Sequence, residues 1–98
     1  MPLLEVCVGD PESLSAAVEG GADRIELCSA LELGGLTPGP GLIALAARLS
    51  VPVYAMVRPR GGDFVFSESE VAAMLADIAA IRAVGLAGVV LGLSLIHI

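Results

Sequence analysis

The chain has no tryptophan, only three aromatic residues, a single histidine and two cysteines, and its five cationic side chains are all arginine. Each shortage removes a class of function. With a formal net charge of −6 and no stacking platform, the chain lacks the basic, aromatic-studded face that nucleic acids require, which argues against them as partners. No uninterrupted apolar run reaches the roughly 18 to 20 residues that cross a bilayer, so no membrane partner is expected. The first residues carry Glu5 and no basic cluster and do not read as a secretory leader. A cytoplasmic location is the resulting expectation, and two thiols there are expected to be reduced rather than bridged. The acidity, with a pI near 4.4, reads as solvated surface.

What the chain does have is apolar surface. Hydrophobic residues make up 56% of its 98 positions, and the mean hydropathy is +0.89. A chain this short buries a small fraction of its area. The composition therefore predicts part of a larger domain.

The organising stretch is Gly20 to Ser29, reading Gly-Gly-Ala-Asp-Arg-Ile-Glu-Leu-Cys-Ser. Past its glycines the apolar period becomes strict alternation, which puts Ile25 and Leu27 on one face of a strand and Arg24, Glu26 and Cys28 on the other. An arginine, a glutamate and a thiol make a poor solvent face, since a thiol prefers burial. The pattern predicts a parallel strand with its apolar face on helices and its polar face toward an enclosed interior. Residues 3–8 repeat it: Leu4, Val6 and Val8 alternate with Leu3, Glu5 and Cys7. The two strands are expected to be neighbours, which gathers two carboxyls and two thiols on one face.

The remaining elements follow in chain order. Asp10, Pro11 and Glu12 start a short helix with Leu14, Ala17 and Val18 as its buried stripe, and Gly20 and Gly21 end it. Residues 29–41 form a loop rich in Gly and Pro that carries Leu31, Leu33 and Leu36, and a long loop after the carboxyl end of a strand is expected to be functional. A helix over 42–49 and a strand over 51–58 come next, with Pro52 at the strand's entrance. Ser67 with Glu70 fits a capping box, and Val71, Met74, Leu75, Ile78 and Ile81 recur at helical spacing as far as Gly85. Met74 in that stripe reads as core filling. A fourth strand is predicted over 87–91. Both Gly21-Ala22-Asp23-Arg24-Ile25-Glu26-Leu27 and Gly85-Leu86-Ala87-Gly88-Val89-Val90-Leu91 read as a glycine helix stop followed by a strand, a weak internal repeat.

The order βαβαβαβ predicts α/β architecture with four parallel strands. Polar rows on one face favour the first half of a TIM (β/α)8 barrel over an open doubly wound sheet, whose strands are apolar on both faces. Function in such barrels gathers at the carboxyl ends of strands, where Cys7, Cys28, Arg58 and the Arg60 loop are expected. There Arg58, Arg60, Gly61 and Gly62 offer guanidinium donors and exposed amides as a substrate-binding cradle for a carboxylate or phosphate. The competing structural expectation is that Arg58 and Arg60 neutralise Glu5 and Glu26. In an enzyme reading, Glu5 or Glu26 is the catalytic acid or base and Arg24 holds a neighbouring carboxylate ionised.

Leu-Glu-Val-Cys-Val near the start, Gly-Gly-Ala-Asp-Arg-Ile-Glu-Leu-Cys-Ser-Ala-Leu, Leu-Gly-Gly-Leu-Thr-Pro, Val-Arg-Pro-Arg-Gly-Gly-Asp-Phe and Gly-Val-Val-Leu-Gly resemble the amino-terminal part of the copper homeostasis protein CutC family. The resemblance runs through about Gly92 and implies a cytosolic TIM barrel of roughly 250 residues, of which this chain is the first half. It also implies copper handling, with Cys7 and Cys28 as metal ligands and Cu(I) as the bound metal. Soft thiolates select that ion, and the alternative for both cysteines is the role of small buried hydrophobes. The implied partners are a copper ion or, in the enzyme reading, a small anionic molecule. Full-length relatives are expected to be homo-oligomeric, and this chain alone is expected to self-associate through unpaired strand edges. Residues 93–98, Leu-Ser-Leu-Ile-His-Ile, depart from the family and equal the translation of a transposon-end sequencing adapter. They are read as a non-native tail, which leaves residues 1–92 as the barrel portion and removes His97 from any site.

Overall fold

The computed structural model describes residues 3–91 and 94–97. Strands β1 (Glu5–Val8), β2 (Arg24–Leu27), β3 (Val53–Met56) and β4 (Gly88–Leu91) alternate with helices α1 (Pro11–Glu19), α2 (Pro40–Ala46) and α3 (Glu68–Val84). The four strands pair in parallel in the order β1-β2-β3-β4. Strand β5 (Ser94–His97) lies antiparallel on the far edge of β4. The segment read as a tail thus pairs with an edge that the four-strand expectation left open, and among the described residues β1 keeps a free one.

Local chemistry sets the helix ends. The Asp10 carboxylate accepts the Ser13 N–H at 2.7 Å, and Pro11 occupies the first turn of α1. Ser67 and Glu70 close the capping box of α3. Gly21 and Gly85, the matching stops of the weak repeat, both have φ +85, a conformation that penalises any residue with a Cβ. Helix α2 begins two residues before its apolar pattern, because the fixed φ of Pro40 suits a first turn.

All three helices pack on one face of the sheet. Leu14 and Ala17 of α1, Ile43 and Ala46 of α2 and Ile81 of α3 share a single buried cluster with Val8, Ile25, Leu27, Val53, Ala55 and Val89. This one-sided packing distinguishes a barrel segment from a doubly wound sheet, which is covered on both faces. The α3 stripe is narrower than its periodicity predicts: Ile81 is buried, and Met74 and Ile78 pack against the core, but Val71 and Leu75 are exposed. A 17-residue helix spans about 25 Å, whereas a four-residue strand spans about 13 Å. The first turn therefore overhangs the sheet, and Leu75 is rotated off the packed face.

Candidate functional site

The opposite face, free of helices, carries the chemistry. Alternation puts Glu5, Cys7, Arg24, Glu26, Cys28, Tyr54, Met56 and Val90 there, and the register decides which of them touch. Glu5 lies beside Arg24, and the two form an ion pair. Cys7 lies beside Glu26, Glu26 beside Tyr54, and Tyr54 beside Gly88, a row that crosses all four strands. One step nearer the carboxyl ends, Met56 lies beside Val90, and Cys28, Tyr54, Met56 and Val90 form a second buried cluster. The two thiols are therefore diagonal neighbours. Cys7 is exposed and Cys28 buried.

Burial and charge act together on this face. Partial burial raises the Glu26 carboxyl, and the Glu5 charge and a hydrogen bond with Glu5 raise it further, against the smaller opposing effects of Cys7 and Arg24. Burial and the negative fields of Glu26 and Glu5 push the Cys7 thiol up. Burial, with Cys7 and Glu26 adding to it, pushes Cys28 up to about 11. Both thiols are accordingly protonated at neutral pH. For Glu26 the folded state binds its proton more tightly than the unfolded chain does, so the stability it contributes is complete below the unfolded value, about 4.3, and is lost as pH rises through the folded value. Glu26→Gln is expected to abolish that fall. Parallel stability-against-pH curves for the two proteins above pH 4 would refute this assignment.

A loop roofs Cys28. Ser29 and Leu36 exchange backbone hydrogen bonds at 2.9 and 2.8 Å, the Ser29 hydroxyl donates to the Thr37 carbonyl at 2.9 Å, and a short 3-10 turn at Leu31–Leu33 fills the space between. Gly35 comes down on the thiol. A Cβ on it would lie 3.4 Å from Met56 Cε and 3.5 Å from Cys28 Sγ, and its φ is +96. The loop is latched by Arg58, only 9% exposed. Its Nη1 donates to the Leu33 carbonyl at 2.8 Å and to the Gly35 carbonyl at 3.3 Å. Its Nη2 donates to the Gly62 carbonyl at 3.1 Å, and its guanidinium stacks 5.0 Å from the Phe64 ring centre. The buried Nε has no hydrogen-bond partner among the described residues.

Arg60 is committed in the same manner. It pairs with Glu70 and Asp63, donates to the carbonyls of Gly61, Asp63 and Val65, and lies 5.1 Å from the Phe66 ring centre. The Ser67 N–H, and after it the hydrogen bond from Arg60, hold Glu70 below the usual carboxylate range. The cradle expected from Arg58, Arg60, Gly61 and Gly62 is thus occupied by carbonyls and carboxylates of the chain itself. The structural alternative is corrected as well: among the described residues, Glu5 is paired by Arg24 rather than by either loop arginine. Those arginines sit past the end of β3, while Glu5 begins β1 at the other end of the sheet.

Sequence reasoning missed Met56, Gly35 and Tyr54. The alternation of Val53, Ala55 and Val57 with Tyr54 and Met56 was available to find two of them. Gly35 carried no signal beyond its place in a Gly-rich loop. Among the described residues no group of three His, Cys, Asp or Glu side chains is placed to hold a metal ion. No described helix is long and apolar enough to cross a membrane.

Comparison with known proteins adds the following. Residues 2–97 match the CutC family. The chain is 66% identical over 92 residues to a CutC family protein of Rhizobium meliloti (strain 1021), covering 94% of this chain and 38% of that one. It is 59% identical over 92 residues to one from Caulobacter vibrioides (strain NA1000 / CB15N), with the same coverage. Among solved structures, the putative copper homeostasis protein CutC from Streptococcus agalactiae superposes with a TM-score of 0.87 at 34% identity, over 94% of this chain and 46% of that chain. The chain thus spans about 38% of the length of these curated relatives.

Proposed function

Because the chain belongs to the CutC family, we propose that it contributes the thiol-bearing part of a copper-handling barrel, in which Cys7 and Cys28 bind Cu(I) as cargo. The observation that carries this reading is the placement of both thiols on the helix-free face, diagonal to one another across β1 and β2 and bordered by Glu5 and Glu26. The family name supports copper handling, and the solved relative is described as a putative copper homeostasis protein.

The electrostatics suit a cation that arrives as the protons leave. The carboxylates that disfavour a bare thiolate here are the charges that attract a metal ion, and a bound cation reverses the local field that keeps the sulfurs protonated. Capture therefore releases protons and weakens as pH falls. Burial of Cys28 under the Gly35 roof excludes water from a soft ion, which suits sulfur donors over oxygen ligands.

Anaerobic Cu(I) titration against a chromophoric competitor tests the reading. The Cys7→Ala, Cys28→Ala double variant is expected to lose at least about a hundredfold in affinity, about 2.7 kcal/mol. Equal affinity in the two proteins overturns it. The enzyme reading retains Glu26 as a proton donor, but the arginines it requires for an anion are spent on the chain's own groups, and we rank it second.

A further inference from the structure

We propose that Met56 supplies a third, thioether donor to the metal that Cys7 and Cys28 hold. The inference rests on the thiol reading above and deepens it. The parallel register pairs Glu26 with Tyr54 and Leu27 with Ala55, so the next residues, Cys28 and Met56, stand side by side on the same face of adjacent strands, roughly 4.8 Å apart between backbones. The buried cluster that contains them is separate from the helix-packed core. Cys28 Sγ and Met56 Cε both border one point, the position a Cβ on Gly35 would take, at 3.5 and 3.4 Å. The thiol also approaches β1, with Sγ 3.7 Å from the Val8 carbonyl, so Cys28 is the centre of the set, with Cys7 diagonal on one side and Met56 opposite on the other.

The chemistry of the set is selective. A thioether is a soft neutral donor that suits Cu(I) and adds little for Zn(II), which prefers thiolate, imidazole and carboxylate. Two thiolates and a thioether give a three-coordinate sulfur site without any carboxylate or histidine. Met56 is 7% exposed, and its thioether is kept from solvent by the loop that Arg58 latches. An aliphatic side chain would fill that space equally well, so packing alone does not require sulfur at this position.

Two measurements test the proposal on the full chain. Met56→Leu preserves volume and removes the donor. It is expected to weaken Cu(I) binding by roughly tenfold or more while leaving Zn(II) affinity unchanged, and to reduce the sulfur count at copper from three to two by X-ray absorption. Independently of whether that variant folds, the wild-type chain grown with selenomethionine is expected to show a copper–selenium scattering path. Absence of that path in a copper-loaded chain overturns the Met56 assignment, as does a Met56→Leu protein that matches the wild type in affinity and sulfur count. Either result leaves the thiol reading intact if the double cysteine variant still loses copper. A double cysteine variant that binds as tightly as wild type removes both.

Discussion

Replacing Arg58 by methionine is expected to cost about 4 kcal/mol, the largest single-residue effect in this structure outside the aliphatic core. The guanidinium joins two otherwise separate pieces of chain: the roofing loop, through the Leu33 and Gly35 carbonyls, and the segment after β3, through the Gly62 carbonyl and the Phe64 ring. Hydrogen bonds to charged donors contribute about 1.5 to 3 kcal/mol each, and acceptors left unpaired in a buried position pay their desolvation. The total falls short of three such terms because the loop can lift and rehydrate its carbonyls. Methionine preserves much of the stem's packing, so the loss reports the donors. With about 4 to 8 °C of melting temperature per kcal/mol in a domain of this size, thermal unfolding followed by circular dichroism should fall by more than about 15 °C. Arg58→Lys should recover only a minor part, since an ammonium cannot present a planar fork to carbonyls on two loops. A drop of under about 4 °C for Arg58→Met would show that the latch is not structural.

The second large effect is expected at Gly35. Valine there faces two independent costs: a backbone φ of +96 that a β-branched residue adopts only under strain, and crowding of its two γ-methyl groups, because its Cβ already lies in van der Waals contact with Met56 Cε, Cys28 Cβ and Cys28 Sγ at 3.4 to 3.5 Å. Together these are expected to destabilise the chain by about 3 kcal/mol. Gly21 provides the control, because its φ is +85 but nothing lies within 4 Å of an added Cβ, so Gly21→Ala should cost only about 1 kcal/mol. Valine at Gly35 should also lift the roof, so Cys28 should be alkylated faster at pH 8 relative to Cys7. Equal losses at the two glycines, with unchanged Cys28 reactivity, would show that the roof does not press on the sulfur.

Much of this architecture was legible from short-range pattern. The cap at Asp10, the capping box at Ser67 and the stops at Gly21 and Gly85 depend on groups within four residues of one another. Each is found where the sequence indicates it. The barrel-like assignment rested on Glu5, Cys7, Glu26 and Cys28 sharing faces, and helices confined to the other face bear out the one-sided sheet. The α3 stripe was over-read at Val71 and Leu75 because periodicity carries no information about how far the sheet extends beneath the helix. Hydrophobic periodicity carries no mark of the groups that satisfy the loop arginines, whether near in sequence, as Gly62 is to Arg58 and Asp63 to Arg60, or distant, as Leu33 and Gly35 are to Arg58 and Glu70 to Arg60.

The sequence by itself determined which side chains share a face and where α1 and α3 start and stop, since both follow from backbone periods of two and 3.6 residues and from local hydrogen bonds. Only the tertiary structure decided who stands next to whom. A strand slipped by two residues keeps every side chain on its face, yet it would exchange Glu26 for Cys28 beside Cys7 and remove Met56 from the thiol. That choice is made by crossovers packing over long chain separations, and it sets Cys28 and Met56 in one buried cluster where alternation alone offered only a row.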